Sequence, residues 1–331
     1  MTNHNMNTNK TIKWGILGCG NIAHYFAQDL GSIPNAKLHA VASRNLQKAK
    51  DFGEKYDAPQ AYGSYEELSK DNEIDVIYIA TPHVFHHENT IMCLNNNKAV
   101  LCEKPFAMNI SQVEEMISIA KEKQIFLMEA LWTYFLPHYD HVLKLIGSKE
   151  FGNVKTVTAD FGFAATFNPD GRLFNKKLGG GSLLDVGIYP LFAALSILGY
   201  PDKIEANATF GKTGVDETCT MKLEYSNGTS ASLFSAISKD TNTEAIIEFE
   251  KATIKINTQF HKPSSITILK NGVSESFEFP VTTNGYNYEA IHVQNMLLQN
   301  RTESTIMTFD KSLQLIKMLD TVREKIGLQY S

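Results

Sequence analysis

At 331 residues, 43% apolar and 20% charged, the chain has the length for two domains and the balance of an ordinary globular protein. Its formal net charge of −5, with no basic cluster, argues against nucleic acid as a partner. The four cysteines, Cys19, Cys93, Cys102 and Cys219, show neither CxxC spacing nor the density of a disulfide framework, which points to reduced thiols and a cytoplasmic setting.

Residues 1–10 are rich in Asn and Thr, lack the apolar core of a signal peptide and read as a disordered tail. No run of 18 or more apolar residues occurs, so no membrane partner is expected. From Ile12 to about Ala130, short apolar runs alternate with helical patterns, the signature of a parallel sheet with crossover helices. The expected strands are Lys13–Leu17, Lys37–Ser43, Val76–Ala80, Ala99–Cys102 and Ile125–Glu129. Helices fit between them at Ser64–Lys70, His86–Asn95 and Ser111–Lys123, the last with a capping box of Ser111 and Glu114.

The first strand breaks into Gly18-x-Gly20-x-x-Ala23 and then into a helix-like segment through Leu30. This is the dinucleotide fingerprint with a strand before it and a helix after it. Gly18 permits the tight turn, Gly20 the approach of a pyrophosphate, and the small Ala23 close helix–strand packing. Helical N–H groups would then face the phosphates. A glycine-rich turn alone also suits a purely structural loop. The second strand ends in Ser43-Arg44-Asn45, where an NAD site would place a carboxylate. A hydroxyl and a guanidinium suit a 2′-phosphate instead, and Lys48, four residues on, would add a second cation to the same helix face. NADP is therefore favoured, with NAD as the alternative; Arg44 and Lys48 also suit ordinary solvated charges.

Beyond residue 150 the pattern changes to strands at Val154–Phe163, Lys203–Phe210, Thr218–Tyr225, Thr229–Ile237, Glu244–Glu250, Thr253–Asn257 and Ile266–Leu269. Asn227-Gly228 and Asn271-Gly272 read as hairpin turns, so this half is mostly antiparallel with one or two helices. Helical spacing closes the chain over Tyr286–Gln299 and Phe309–Ile326.

Two segments carry chemistry. Val100–Pro105 ends a parallel strand in Glu103-Lys104-Pro105, where ligands bind in open α/β sheets, and delivers Lys104 toward the nicotinamide. Gly179-Gly180-Gly181 permits close backbone approach and precedes a helix on which Asp185 and Tyr189, four apart, share a face. A tyrosine is a poor base near neutrality unless a cation favours its phenolate, and Lys104 could supply that cation. The bland alternative is a core Tyr189 and a surface Lys104. Trp132 fits either a pocket wall or the core, and Arg172 either a substrate contact or a solvated loop. His83, His86 and His87, and the pair His138 and His141, lack the spacing of a zinc site, so no metal is expected.

Taken in order, Gly18-x-Gly20-Asn21-Ile22-Ala23, Ala80-Thr81-Pro82-His83 with His86, Glu103-Lys104-Pro105 and Gly179-Gly180-Gly181-x-Leu183-x-Asp185-x-Gly187 resemble the Gfo/Idh/MocA oxidoreductases over nearly the whole chain. Met128–Thr133 and Gly187–Pro190 resemble the branch of dimeric dihydrodiol dehydrogenases and NADP-dependent D-xylose dehydrogenases. That resemblance implies an α/β Rossmann domain over 11–131. It also implies a substrate-binding and oligomerisation domain over 132–331, built on an open-faced, mostly antiparallel sheet, its C-terminal helix able to pack back on the first domain. It implies Gly18, Gly20, Asn21, Ile22, Thr81, His83, His86, Glu103 and Lys104 at the cofactor, with Lys104 orienting substrate and Tyr189 as acid–base.

The substrate class would be a sugar, polyol or vicinal diol bound between the domains, touching Trp132, Arg172, Asp185 and Tyr189. The assembly would be a homodimer or higher homo-oligomer. An NAD-dependent inositol-type enzyme and a non-catalytic nucleotide-binding regulator are the alternatives. Tyr134 departs from the branch, which carries arginine there, and puts the substrate in question more than the chemistry.

Overall fold

A computed structural model describes residues 10–330; the tail expected over 1–10 lies, but for Lys10, outside the described residues. The chain forms two compact units. One runs through Trp132 and takes up again over Thr282–Ser312; the other comprises Thr133–Val281 and resumes at Leu313.

The first unit alternates β1 (Ile12–Leu17), α1 (Asn21–Leu30), β2 (Ala36–Ala42), α2 (Leu46–Lys55), β3 (Gln60–Tyr62), α3 (Tyr65–Lys70), β4 (Val76–Ile79), α4 (His86–Asn95), β5 (Ala99–Glu103), α5 (Ile110–Lys123) and β6 (Leu127–Ala130). The six strands pair in parallel in the order β3-β2-β1-β4-β5-β6, so the winding direction reverses between β1 and β4. Strands covered on both faces read as unbroken apolar runs, and every residue of β4, β5 and β6 is buried. From α1, Ala23, Phe26, Ala27 and Leu30 face the core, and Phe26 stacks on Tyr78 with ring centres 3.8 Å apart.

The sequence does not mark β3, because one exposed and two half-buried residues give no alternation to read. The expected capping box also moves. Asn109, not Ser111, caps α5 by accepting from Gln112 N at 3.0 Å, and Gln112 Oε1 accepts from Met108 N at 2.9 Å. Asn is as good an N-cap as Ser, and capping two residues earlier lengthens the helix.

Residues 282–312 are joined to this unit by a buried carboxylate. Asp29, on α1, accepts from Asn284 N (2.9 Å), Asn284 Nδ2 (2.8 Å) and Tyr286 N (2.8 Å), just before α8 (Asn287–Leu298). A second buried acid, Glu129 on β6, accepts from Phe106 N at 3.0 Å. Burial pushes its carboxyl up to about 7, helped by the charge of Glu103, while its hydrogen bonds from Ser312 and Phe106 and the charge of Lys104 pull the other way.

The second unit contains α6 (Pro137–Ser148), β7 (Val154–Gly162), α7 (Ile188–Leu198), β8 (Lys203–Phe210), β9 (Asp216–Glu224), β10 (Ser230–Ala236), β11 (Ala245–Phe249), β12 (Thr253–Ile256), β13 (Ile266–Lys270) and β14 (Val273–Phe277). Its sheet runs β14-β13-β12-β11-β7-β10-β9-β8, antiparallel except where β10 meets β7. Register makes one face apolar across the sheet: Ile204, Leu223, Ala231, Val157, Ile247, Ile254 and Ile268 lie in one line of paired residues. The neighbouring line, Glu205, Lys222, Ser232, Thr158, Ile246, Lys255 and Thr267, faces the other way and is mostly polar. Asn271 and Gly272, both with positive φ, turn β13 into β14, whose exposed Val-Ser-Glu-Ser run hides it from a search for buried strands. The closing helix α9 spans Phe309–Ile326.

The helix expected after the three glycines begins as a five-residue π-turn, Leu183–Gly187, and becomes α-helical only at Ile188. The stretch Lys176–Leu198 is long and apolar enough by length and composition to cross a membrane, which a search for unbroken apolar runs passes over. In the structure, 83% of its most apolar window is buried among the chain's own residues, as in a core helix.

Two stability measurements follow. Asp29→Ala removes three hydrogen bonds to a buried carboxylate and should lower the unfolding free energy by roughly 2–4 kcal/mol in a urea titration. Glu129 binds its proton more tightly folded than unfolded, so its stabilising contribution is full below about 4.5 and lost as pH rises through about 7. Glu129→Gln should therefore gain on the parent between pH 5 and pH 8; an unchanged difference between their melting curves would contradict this.

Candidate active site

The first cluster lies at the carboxyl ends of β1, β2, β4 and β5. Gly18 has φ +101°, and a Cβ there would stand 3.1 Å from the carbonyl carbon and oxygen of Ala80, at the end of β4. Glycine is thus required for the β1–α1 turn to lie at the reversal point of the sheet, where open α/β sheets bind ligands. Gly20 is the N-cap of α1, followed by Asn21 and Ile22. No side chain caps that end and no acidic residue stands in its first turn. A dinucleotide phosphate fits such an end, since both the helix dipole and the opening N–H groups favour an anion.

Ser43 is buried at the end of β2, and its Oγ accepts from Asn45 N at 3.2 Å. Asn45 caps α2, so Arg44 precedes the helix and does not share a helical face with the exposed Lys48. The Arg44 guanidinium instead lies 5.8 Å from the ring centre of Phe85. A cavity of about 290 Å³ opens here, lined by Arg44, Tyr65, Thr81, Pro82, Phe85 and Asn89, with Glu66 and Glu88 also on its wall. Burial raises the Tyr65 phenol, and the nearby Arg44 opposes that rise.

The Lys104 segment is held by its neighbours. Tyr78 donates to Glu103 Oε1, and Glu103 Oε2 accepts from Lys104 N at 3.2 Å. His86 is buried, with Nδ1 2.8 Å from Pro105 O and Nε2 2.9 Å from Thr81 O. It therefore ties the turn after β4 to the turn after β5. Burial brings its imidazole down to about 4 against the upward pull of the two carbonyls. His83 is buried too, its ring 6.4 Å from that of His86 and edge-on to it. Asn89 Nδ2 donates to Thr81 Oγ1 at 3.2 Å. Trp132 is buried and stacks flat on Tyr286 at 4.2 Å.

The second cluster belongs to the other unit. Arg172 grips Asp185 through two hydrogen bonds, Nη1–Oδ1 at 2.5 Å and Nη2–Oδ2 at 3.3 Å. The forked geometry makes this a strong, orienting pair. Tyr189 is buried, its ring 5.6 Å from Phe161 and 4.9 Å from His261, which itself stacks on Phe161 at 4.1 Å. Thr133 Oγ1 donates to His261 O at 2.8 Å, and His138 Nε2 lies 3.0 Å from Phe260 O, so the His261 backbone is fixed from two sides. Tyr134 packs edge-on against Phe192. Sequence reasoning missed His261 and Phe161 as neighbours of Tyr189; an isolated histidine in the loop between two strands gives no spacing to read.

The structure thus gathers Gly18, Gly20, Ser43, Arg44, Thr81, His86, Glu103 and Lys104 around the strand ends of the first unit, and Arg172, Asp185 and Tyr189 in the second. Among the described residues, no three His, Cys, Asp or Glu side chains stand together as metal ligands.

Comparison with known proteins matches both units. Residues 12–131 match the Gfo/Idh/MocA oxidoreductase family, NAD-binding Rossmann fold, and residues 139–260 match the Gfo/Idh/MocA C-terminal domain. The trans-1,2-dihydrobenzene-1,2-diol dehydrogenase of Xenopus tropicalis is 39% identical over 330 residues, covering 96% of this chain and 99% of that protein. The Homo sapiens protein of the same name is 33% identical, covering 96% and 98%. Among solved structures, an aldose-aldose oxidoreductase from Caulobacter crescentus complexed with glycerol superposes with a TM-score of 0.88 at 25% identity, covering 96% and 98%. A 3-ketoreductase from Actinomadura kijaniata, solved with NADP and TDP-benzene, shares the fold at a TM-score of 0.87 and 24% identity, with the same coverage. With relatives this similar along nearly its whole length, the chain belongs to the Gfo/Idh/MocA oxidoreductases, enzymes of CH–OH groups built on an NAD-binding Rossmann domain.

Proposed function

We propose that this chain is an NADP-dependent dehydrogenase or reductase of a vicinal diol, sugar or polyol. The observation that carries the reading is its 33–40% identity, over nearly full length, with enzymes named for a trans-1,2-diol. Lys104, Asp185 and Tyr189 are each present in the context the family motif gives them.

When bound, the nicotinamide supplies or accepts the hydride at the carbinol carbon. The chain's own task is the proton. In oxidation Tyr189 takes the hydroxyl proton as the carbon gives up hydride; in reduction it returns it. Lys104 assists by favouring the phenolate and by donating to the substrate oxygen. Its backbone is set by Glu103 and, through Pro105, by His86. Asp185 orients a neighbouring hydroxyl. Because Arg172 neutralises its charge, the two together offer acceptors and donors to a neutral polyhydroxylated ligand and no net attraction to a carboxylic acid. In this reading Trp132 walls the substrate pocket, and the polar face of the second sheet is the contact of a cytoplasmic homodimer or higher homo-oligomer.

The preference for NADP rests on Arg44, beside the cavity next to Thr81 and Pro82, and on the absence of an acid at the end of β2. Glu66 and Glu88 on the same cavity wall favour a second reading, NAD with an inositol-type substrate.

Fluorescence titration with NADPH and NADH separates the two. NADPH should bind more tightly, and Arg44→Ala should weaken it by about 10- to 100-fold, the worth of a charge-assisted contact, with little change for NADH. Equal binding of both nucleotides by the parent would move NAD to the front. Lys104→Ala and Tyr189→Phe should each reduce turnover of a trans-diol by about 100-fold or more while cofactor affinity stays near parental. Parental turnover in both variants would end the acid–base assignment.

A further inference from the structure

The segment that carries Asp185 is a π-turn, and π-turns are rare enough that something outside the helix must hold them. Helix starts leave orphan N–H groups, normally served by a local N-cap side chain. Here Ser182 stands at the N-cap but makes no such bond. Its hydroxyl turns away and donates to Asp216 Oδ2 at 2.8 Å, while the same oxygen accepts from Leu183 N at 2.7 Å. Asp216 is the first residue of β9, 33 positions from Leu183, and is wholly buried.

Ser235 on β10 approaches both ends of the turn. Ser182 Oγ lies 3.0 Å from Ser235 Oγ on β10, and a Cβ on Gly187 would come within 2.9 Å of that Ser235 oxygen. Gly181, at φ +125°, leaves no Cβ to collide with Asp216 Oδ1. Tyr330 donates to Gly180 O at 2.8 Å, fixing the approach to the turn from the C-terminal segment. Asp185 sits inside this frame and Tyr189 one residue into the α-helix that follows.

We propose that Asp216 is a positioning residue for catalysis: with Ser182 and Ser235 it fixes the register of the Leu183–Gly187 π-turn and so the directions of Asp185 and Tyr189. The inference rests on the reading of Tyr189 as acid–base and Asp185 as substrate-orienting. The Ser182 hydroxyl and the Leu183 amide both donate to the single oxygen Oδ2, an acceptor that an Asn carbonyl oxygen reproduces, so Asp216→Ala is the substitution that releases both bonds. An α-helical relaxation of the turn would then rotate both functional side chains without unfolding the helix.

The test uses the whole chain with Asp216→Ala, Ser182→Ala, Ser182→Thr and Tyr189→Phe, assayed with a trans-diol and NADP. Misplacement near 1 Å costs about 100-fold, so Asp216→Ala should lose 10- to 100-fold in kcat while the NADPH dissociation constant stays parental. Ser182→Ala should lose several-fold, and Ser182→Thr, which keeps the hydroxyl, should recover it. Amide hydrogen exchange over residues 183–187 should accelerate by about tenfold or more in Asp216→Ala.

Parental kcat and parental protection in a folded Asp216→Ala would overturn the proposal. Should that variant fail to fold, Ser182→Ala decides in the same way, since it removes the hydroxyl's bonds to Asp216 and Ser235 and leaves the Leu183 N bond in place. Tyr189→Phe keeps the two readings apart: if it retains turnover, the acid–base assignment fails, whereas the exchange measurement still judges Asp216. A dead Tyr189→Phe with a parental Asp216→Ala sinks only the positioning role.

Discussion

Everything the first unit can do with a nucleotide depends on an absent methyl group. A Cβ at residue 18 would press on the carbonyl of Ala80, forcing β1 and β4 apart at the point where the sheet reverses its winding. With hydrogen there instead, the turn closes, and α1 begins with its uncapped N-terminus directed at the sheet's carboxyl edge. The neighbouring turns can then converge, and His86 joins two of them through the carbonyls of Thr81 and Pro105. The cavity beside Arg44 and the placement of Lys104 are consequences of that convergence.

The chain rigidifies its candidate site with buried polar groups. Glu103, Glu129, Asp29 and Asp216 are all buried, and each accepts from a backbone N–H of a loop or helix start that no regular ladder serves. Burying carboxyl groups is costly, which shows in the upward displacement of Glu129 and Asp216, each to about 7 with burial as the main cause. In exchange, the segment at Lys104–Phe106, the turn before Asp185 and the segment that precedes α8 acquire fixed backbones. Preorganisation of this kind serves a reaction whose geometric tolerance is a fraction of an ångström.

Much of this was legible in the sequence because the rules involved are local. The glycine motif, the strand–helix alternation and the hairpin at Asn271-Gly272 each depend on a few adjacent residues. What stayed hidden involves partners distant in the chain, or alternatives of equal local merit. Asn109 and Ser111 are both good caps, and only the folded chain selects between them. The π-turn at Leu183–Gly187 has nearly the apolar pattern of an α-helix, so its extra residue leaves no periodic mark. Arg172 and Asp185 are both candidates in the sequence, but twelve intervening residues with no regular pattern give no reason to pair them. His261 reaches Tyr189 from a loop whose course only the sheet determines.

The tie between Asp29 and residues 284–286 sets an order of events during synthesis. The acceptor is made 255 residues before its first donor. At ribosomal speeds of 5–20 residues per second, the wait is roughly 10–50 s. Once residue 130 is made, the nascent nucleotide-binding unit has its six strands but still lacks its last segment, with a polar side chain facing a gap that later chain must fill. A message interrupted between codons 133 and 283 would therefore yield a complete sheet in an incomplete unit, a natural client for chaperones and proteases. The dinucleotide fold of this chain is sewn shut from its far end.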